Sequence, residues 1–338
     1  MMSRESFLSS LQPLQQFLKS GDAEIEDVIG RAYASNPWFY PDFTSSAIKA
    51  IADEFLDEGK CNEWLKSYPQ SNHPGKRIAI IMAGNIPLVG FHDLFCVLAS
   101  GHNAIIKFSD KDSVLPKFVL KKWTEFYPAL SSRITFTDKL DGFDAVIATG
   151  SNNSSRYFEY YFKSYPHILR KNRNGVAVIT GDETPEELKQ LGVDIFLYYG
   201  LGCRNVSKMF VPAGYDFSNM ETAFAEWNYL ADHNKYRNNL DYNYAIYIIN
   251  RVPHINLGHL ILKEDEAIAS RIGCVHYAYY PNENELLQNL ESRKSEIQCV
   301  VKQGSLTGWD CVAPGNTQHP SLDQYADGVD TMQFLSTL

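Results

Sequence analysis

Apolar residues recur every third or fourth position through roughly the first 70 residues, and the rhythm then changes. "SFLSSLQPLQQFLKSG" and "SSAIKAIADEFLDEGKCNEWLKSY" carry the period of amphipathic helices. "ASNPWFYPDFT" between them is a Pro- and aromatic-rich connector, with Thr44 or Ser45 as the candidate N-cap. From residue 76 short apolar runs alternate with helical stretches. "KRIAIIMAG", "NAIIKFS", "RITFT", "FDAVIATG" and "GVAVITGD" predict five strands. "LVGFHDLFCVLASG", "DSVLPKFVLKKWTEFYPALSS" and "SNNSSRYFEYYFKSYP" predict the helices between them. Strand and helix in alternation predict a parallel, doubly wound sheet, which takes ligands at the carboxyl ends of its strands.

The alternation restarts near residue 182. "TPEELKQLGVDIFLYYG", "NMETAFAEWNYLA" and "ENELLQNLESRK" read as helices; "SKMFVP", "DYNYAIYIIN", "HLILKED", "CVHYAYY" and "IQCVVKQG" read as strands. The expected organisation is an α/β chain with a helical segment at 1–75 and a first α/β domain at 76–181. A second α/β domain follows at 182–315, and a polar, irregular tail at 316–338 packs back on the domains. No linker and no internal repeat separates the halves.

Composition narrows the function classes. A length of 338 residues with 44% hydrophobic and 21% charged residues is ordinary for a globular chain. A formal charge of -9 argues against general nucleic-acid binding, though a local pocket can still hold an anion. No run reaches the ~18 apolar residues of a membrane span, and the start does not read as a signal peptide. The six cysteines (61, 96, 203, 274, 299, 311) form no C-x-x-C pair. Neither disulfides nor structural zinc is expected, and a reducing cytoplasm is the expected setting.

Three loops after predicted strands carry polar residues of interest. In "MAGNIPLVG", Asn85 can donate two hydrogen bonds into a cleft, or can serve as a turn or cap residue. In "IIKFSDKDS", Lys107 ends a strand, where its ammonium can meet ribose hydroxyls or phosphate, or can simply be solvated. In "VIATGSNNSSRYF", Gly150 and Ser151 open a helix, which suits a pyrophosphate and equally suits a plain capped start. The G-x-G-x-x-G fingerprint is absent.

"LYYGLGCRNVSK" places Cys203 behind Gly200 and Gly202 and ahead of Arg204, Asn205 and Lys208. Small neighbours leave a sulfur accessible, nearby cations favour the thiolate, and a helix beginning after the turn would add to that. Cys96 and Cys299 sit in apolar runs and read as packing residues. Cys203 alone has a nucleophile's setting, against the plainer reading of a structural cysteine.

Taken in order, "AGNIPLVGFHD", "AIIKFSDKDS", "ATGSNNSSRYF", "GLGCRNVSK" and "DQYADGVDTMQFL" make the chain resemble the aldehyde dehydrogenase superfamily. Within it, the resemblance is to the luminescence-type acyl-CoA reductases, from about residue 35 to the C-terminus. The resemblance implies an aldehyde dehydrogenase-like fold and a catalytic thiol at Cys203. It implies an oxyanion-holding amide at Asn85, a ribose contact at Lys107, and a pyrophosphate turn at Gly150 and Ser151. Ser109 and Asp110 fall in the same cofactor loop; Asp110 is shorter than the glutamate of many NAD-dependent members, so NADPH is expected, with NADH as the alternative. It also implies a homo-oligomer and an acyl-CoA or acyl thioester substrate, with an acyl-transferring partner protein as a further implication.

The departures from that pattern bear on the reaction. Oxidising members carry a glutamate that activates water; the corresponding stretch here, "ILRKNRNGVAVI", has no acid from Arg170 to Gly175. A thioester-reducing enzyme needs no such base. Leu201 stands where glutamine is common, and the chain is shorter than the usual member. The expected function is NADPH-dependent reduction of an acyl-CoA to an aldehyde through a Cys203 acyl-enzyme. The rivals are NAD(P)-dependent aldehyde oxidation and a non-catalytic binding subunit. His92 and Arg170 are neighbours for a general acid, with structural roles expected for both.

Overall fold

A computed structural model describes residues 3–70, 75–150 and 152–338. The chain divides into two compact units, residues 1–172 with 319–338, and residues 173–318. The first unit holds a five-stranded parallel sheet of β1 (Arg77–Ile81), β2 (Asn103–Lys107), β3 (Ile134–Phe136), β4 (Ala145–Thr149) and β5 (His167–Arg170). Its order is β3-β2-β1-β4-β5. Ile-rich runs such as "RIAII" suit strands covered on both faces. One face carries the helix Phe91–Ala99, and the N-terminal helical segment packs on that helix and on Val114–Phe126 through Phe7, 5.2 Å from Phe95 and 6.0 Å from Trp123. The other face sets Ala79, Val146 and Ala148 against the helix Asn152–Phe162 through Phe158 and Phe162.

The second unit holds seven strands: β6 (Asn174–Val178), β7 (Val206–Pro212), β8 (Ile255–Asn256), β9 (Ile261–Glu264), β10 (Cys274–Tyr280), β11 (Ile297–Val301) and β12 (Cys311–Val312). Their order is β12-β11-β6-β7-β10-β9-β8, parallel except for the antiparallel β8–β9 pair. Two doubly wound α/β units with a helical N-terminal segment are therefore present, as the alternation of runs predicts.

Several elements differ from the sequence reading. "GVAVITGD" pairs in the second sheet, between β7 and β11, and not in the first; the fifth strand of the first sheet is the four-residue "HILR". A short apolar run shows a strand but not which sheet it joins. "DYNYAIYIIN" lies in a helix, Asn234–Ile249, because its buried residues Tyr236, Leu240, Asn243 and Tyr247 fall on one helical face. The second predicted helical stretch starts at Pro41, with proline in its first turn, so Thr44 is interior and bonds the Phe39 carbonyl at 3.1 Å.

The tail also departs from its expected irregularity. Its helix Thr331–Ser336 is capped by Asp330, and Leu322, Tyr325, Met332 and Leu335 enter the core of the first unit. The Tyr325 hydroxyl lies 2.9 Å from Trp64 Nε1, which donates to it, and 2.7 Å from the Tyr68 hydroxyl.

Candidate functional site

In the first unit the sequence-predicted residues gather at one edge of one sheet. Ile81 is in register with Lys107 on one side, and Ala148, just before the end of β4, pairs Ile81 on the other. Neighbouring strands lie about 4.8 Å apart. Lys107, the loop from 82 to 90 and Gly150 thus emerge side by side. The chain runs from β1 out to β3 and then returns to β4 across β1, so the switch point lies between β1 and β4. The crevice beyond such a point is where these sheets take ligands. Lys107 and Asp110 are exposed; Asn85, Ser109 and Gly150 are half-buried. Ser151 lies outside the described residues.

The loops that carry Asn85 and Lys107 are fastened to each other. A Cβ on Gly84 would stand 2.6 Å from Ser109 Oγ and 2.9 Å from the Asp112 nitrogen, so only glycine admits that approach. Ser109 bridges back to Asp112, and its Oγ accepts from the Lys111 amide at 3.2 Å. Asp112 Oδ2 accepts from the amide of Leu88 at 2.7 Å. Leu88 is itself held at φ 58°, a left-handed conformation that side chains rarely adopt. Burial pushes the Asp112 carboxyl up to about 7, against the lowering effect of the Leu88 and Leu115 amides. The helix Phe91–Ala99 is capped at Gly90, five residues past Asn85, so Asn85 is a loop amide and not a cap.

This donor set fits a nicotinamide dinucleotide. One ammonium, one carboxylate and a glycine followed by a helix start are the groups that meet ribose hydroxyls and a pyrophosphate.

In the second unit, the helix Pro185–Phe196 leads to Tyr198 and Tyr199, both at φ 56°, and Gly200 at φ 72°. Three successive left-handed residues are costly unless their surroundings fix them; both tyrosines are buried. Next comes a four-residue turn, residues 202–205, with Cys203 at its second position. The Asn205 amide donates to the Gly202 carbonyl at 3.1 Å, and the Gly202 amide donates to Asn205 Oδ1 at 2.8 Å. Asn205 Nδ2 donates to the carbonyls of Asp194 and Leu197, both at 2.9 Å. The turn passes straight into β7, so the helix expected after Cys203 does not form.

Gly175 underlies the same turn. Its amide donates to the Asn205 carbonyl at 2.9 Å, and a Cβ there would stand 2.6 Å from the Arg204 carbonyl oxygen. The stretch 173–175, which carries no carboxylate, therefore lies beside the cysteine turn. Asp194 ties in the other end of the unit: its carboxylate accepts from Gly315 N at 2.7 Å, Thr317 N at 3.0 Å and Thr317 Oγ1 at 2.8 Å. Burial raises this carboxyl to about 6, less the effect of those donors.

The remaining cysteines have different surroundings. Cys61, Cys96, Cys274 and Cys299 are buried, and burial raises each thiol, Cys61 and Cys299 to about 12. Cys203 and Cys311 are half-buried. Lys208, expected to lend charge to Cys203, is fully buried and donates from Nζ to the Asp265 carbonyl; burial pulls it down to about 8.

Arg170 and His92 have structural partners. Arg170 Nη2 pairs with Asp93 Oδ1 at 2.5 Å and donates to Thr331 Oγ1 at 2.8 Å. Burial raises the Asp93 carboxyl most strongly of any single cause, but the Arg170 charge, the hydrogen bonds from Arg170 and Thr331 and the nearby His92 together hold it low. The His92 ring stacks on Phe55 at 4.8 Å and meets the Leu322 carbonyl at 3.0 Å.

Cys203 is legible in the sequence, whereas the residues that hold it, Asn205, Gly175 and Asp194, are not. The "RNG" at the start of β6 and the asparagine two places past the cysteine were visible as residues, but their pairing comes from the sheet.

A β3-β2-β1-β4-β5 parallel sheet with a second, seven-stranded α/β unit is the fold of the aldehyde dehydrogenases. Solved structures similar to this chain include an aldehyde dehydrogenase of Physcomitrella patens in complex with the reaction product succinate. It has a TM-score of 0.69 and 10% identity, over 100% of this chain and 84% of that one. A second is an aldehyde dehydrogenase of Mycobacterium tuberculosis complexed with NAD+, with a TM-score of 0.62 and 12% identity, over 85% and 70%. A third is an NADP-dependent enzyme of E. coli, with a TM-score of 0.63 and 10% identity, over 86% and 71%. At these identities the likeness is one of fold. No protein-family model and no curated protein sequence matches the chain. Among the described residues no helix is long and apolar enough to cross a membrane.

Proposed function

We propose that the chain is a nicotinamide-dependent oxidoreductase of the aldehyde level that reduces an acyl thioester, such as an acyl-CoA, to the aldehyde through Cys203. The observation that carries this reading is the cysteine turn: a half-buried thiol on a doubly closed turn, flanked by residues 173–175 with no carboxylate to activate water. The fold it shares with enzymes solved with NAD+ and with an NADP-dependent enzyme supports the cofactor class.

In this reading the Cys203 thiolate adds to the thioester carbonyl, and the new C–S bond replaces the bond to CoA, which leaves as its thiolate and takes up a proton. The carbonyl oxygen gains charge in that step. The Asn85 side-chain amide and the Cys203 backbone N–H are assigned to hold it; one such donor is typically worth ~10²–10³ in rate. Reduced nicotinamide, when bound, supplies a hydride to the acyl carbon. The C–S bond then breaks, the aldehyde leaves and Cys203 recovers its thiolate. NADPH is the assigned reductant, with Lys107, Ser109, Asp110, Gly150 and Ser151 as its contacts. With no carboxylate in the flanking stretch, the acyl-enzyme lasts long enough to be reduced rather than hydrolysed.

The test sets acyl-CoA with NADPH against aldehyde with NAD+ and no CoA, with nicotinamide absorbance as the readout. Turnover of the first pair, abolished by Cys203→Ala, is expected. Turnover of the second pair alone refutes the thioester reading in favour of aldehyde oxidation. Cellular function that survives Cys203→Ala unchanged would point to a binding subunit.

A further inference from the structure

We infer that Asn205 is a positioning residue for Cys203, acting as the hub that fastens the nucleophile's turn to both ends of the second unit. This rests on the reading of Cys203 as the nucleophile.

Asn205 is 1% exposed, and every polar group of its side chain and backbone that the structure pairs is used on this one task. Its Oδ1 and its backbone N–H close the turn around Cys203 from both sides, with Gly202 as the partner in each bond. Two parallel closures fix the turn more tightly than the single bond of an ordinary β-turn. Its Nδ2 reaches the carbonyls of Asp194 and Leu197, at the end of the incoming helix, and so anchors the segment that runs through the left-handed residues 198–200. Its carbonyl receives the Gly175 amide, which holds the start of the unit. Asp194 in turn holds Gly315 and Thr317, which close the unit. The chain's entry into the unit and the cysteine turn thus meet at Asn205, and the exit is tied in one residue away, through the Asp194 carboxylate.

Asparagine is specified by this arrangement. The site needs one acceptor for the Gly202 N–H and two donors for two carbonyls, which is what a carboxamide offers. Aspartate keeps the acceptor but faces both carbonyls with oxygen. Leucine keeps the approximate volume and leaves all three backbone groups unpaired, each at a cost.

The test measures alkylation of Cys203 by iodoacetamide across pH, read by peptide mapping, alongside kcat and KM, in the parent and in Asn205→Ala and Asn205→Asp. The expected result is a shifted pH midpoint for Cys203 alkylation and a fall in kcat on the order of 10²-fold, the usual cost of a misplacement near 1 Å. KM for nicotinamide is expected to stay within about twofold, which a general loss of folding would not give. Should these variants fail to fold, Asn205→Ser, which keeps a hydroxyl in the same turn, is measured in their place with the same expectation. An unchanged alkylation profile and a kcat within about twofold in a folded variant overturn the inference. If Cys203→Ala is fully active, the nucleophile reading falls instead, while the alkylation profile still reports whether Asn205 sets the turn.

Discussion

Gly175→Ala is the sharpest perturbation of the cysteine turn that leaves the turn's own sequence intact. The added methyl would lie 2.6 Å from the Arg204 carbonyl oxygen, 3.0 Å from the Asn205 carbonyl oxygen and 3.1 Å from the Asn205 carbonyl carbon. All three atoms are backbone, so no side-chain rotation relieves the contact. Ordinary contact begins at 3.4 Å, so the Arg204 peptide must retreat by about 0.8 Å, and Cys203 moves with it. Overpacking of this kind costs about 1–3 kcal/mol. A shift approaching 1 Å at a nucleophile costs on the order of 10²-fold in rate.

Urea denaturation and steady-state turnover measure the two effects. Gly30→Ala serves as the control: Gly30 lies in the helix Ala23–Ser35 with nothing beyond its chain neighbours and its own helix backbone within 4 Å of a built Cβ, and alanine there is expected to stabilise by about 0.5–1 kcal/mol. A Gly175→Ala protein with turnover within about twofold of the parent and a stability loss below about 0.5 kcal/mol refutes the dependence of the turn on this glycine.

Buried charges in the first unit give two further outcomes. Asp93→Asn removes the carboxylate paired with Arg170, whose side chain is 3% exposed, and is expected to lower unfolding stability by about 3–5 kcal/mol in denaturant titration. A loss below about 1 kcal/mol would show that the pair is not what holds β5 to the helix Phe91–Ala99. Asp112 has a folded pKa of about 7, above the ordinary 3.8 of an aspartate, so its protonated form favours the folded state. That contribution is whole below about pH 4 and is lost as pH rises through about 7, to a total of about 4 kcal/mol. Asp112→Asn does not titrate, so its stability relative to the parent should rise between about pH 4 and 7; a flat difference contradicts the buried titration.

The strand ends that carry Asn85, Lys107 and Gly150 were legible because Ile- and Val-rich runs closed by glycine or a charged residue have few other structures open to them. The same logic could not say which sheet β6 joins, because a strand covered on both faces has the same apolar pattern in either sheet. It also mistook residues 241–250 for a strand, since alternating Tyr and Ile satisfy both periods over a short window. The glycines around Cys203 correctly marked a turn, but the turn leads into β7 and not into a helix. Lys208 reads in sequence as a nearby cation, yet its ammonium is engaged by the Asp265 carbonyl. Asn205 gave no signal because its partners Gly175, Asp194 and Leu197 lie 8 to 30 positions earlier and meet it only once β6 and β7 are paired.

Covalent chemistry at one sulfur is the central claim. Intact-mass spectrometry of the protein mixed with a panel of acyl-CoAs, without reductant, tests it most directly. The expected result is a single acyl adduct that maps to Cys203, forms with a preferred chain length and disappears in Cys203→Ala. An unmodified protein, or an adduct that maps to Cys311 or any other residue and survives that substitution, would contradict it.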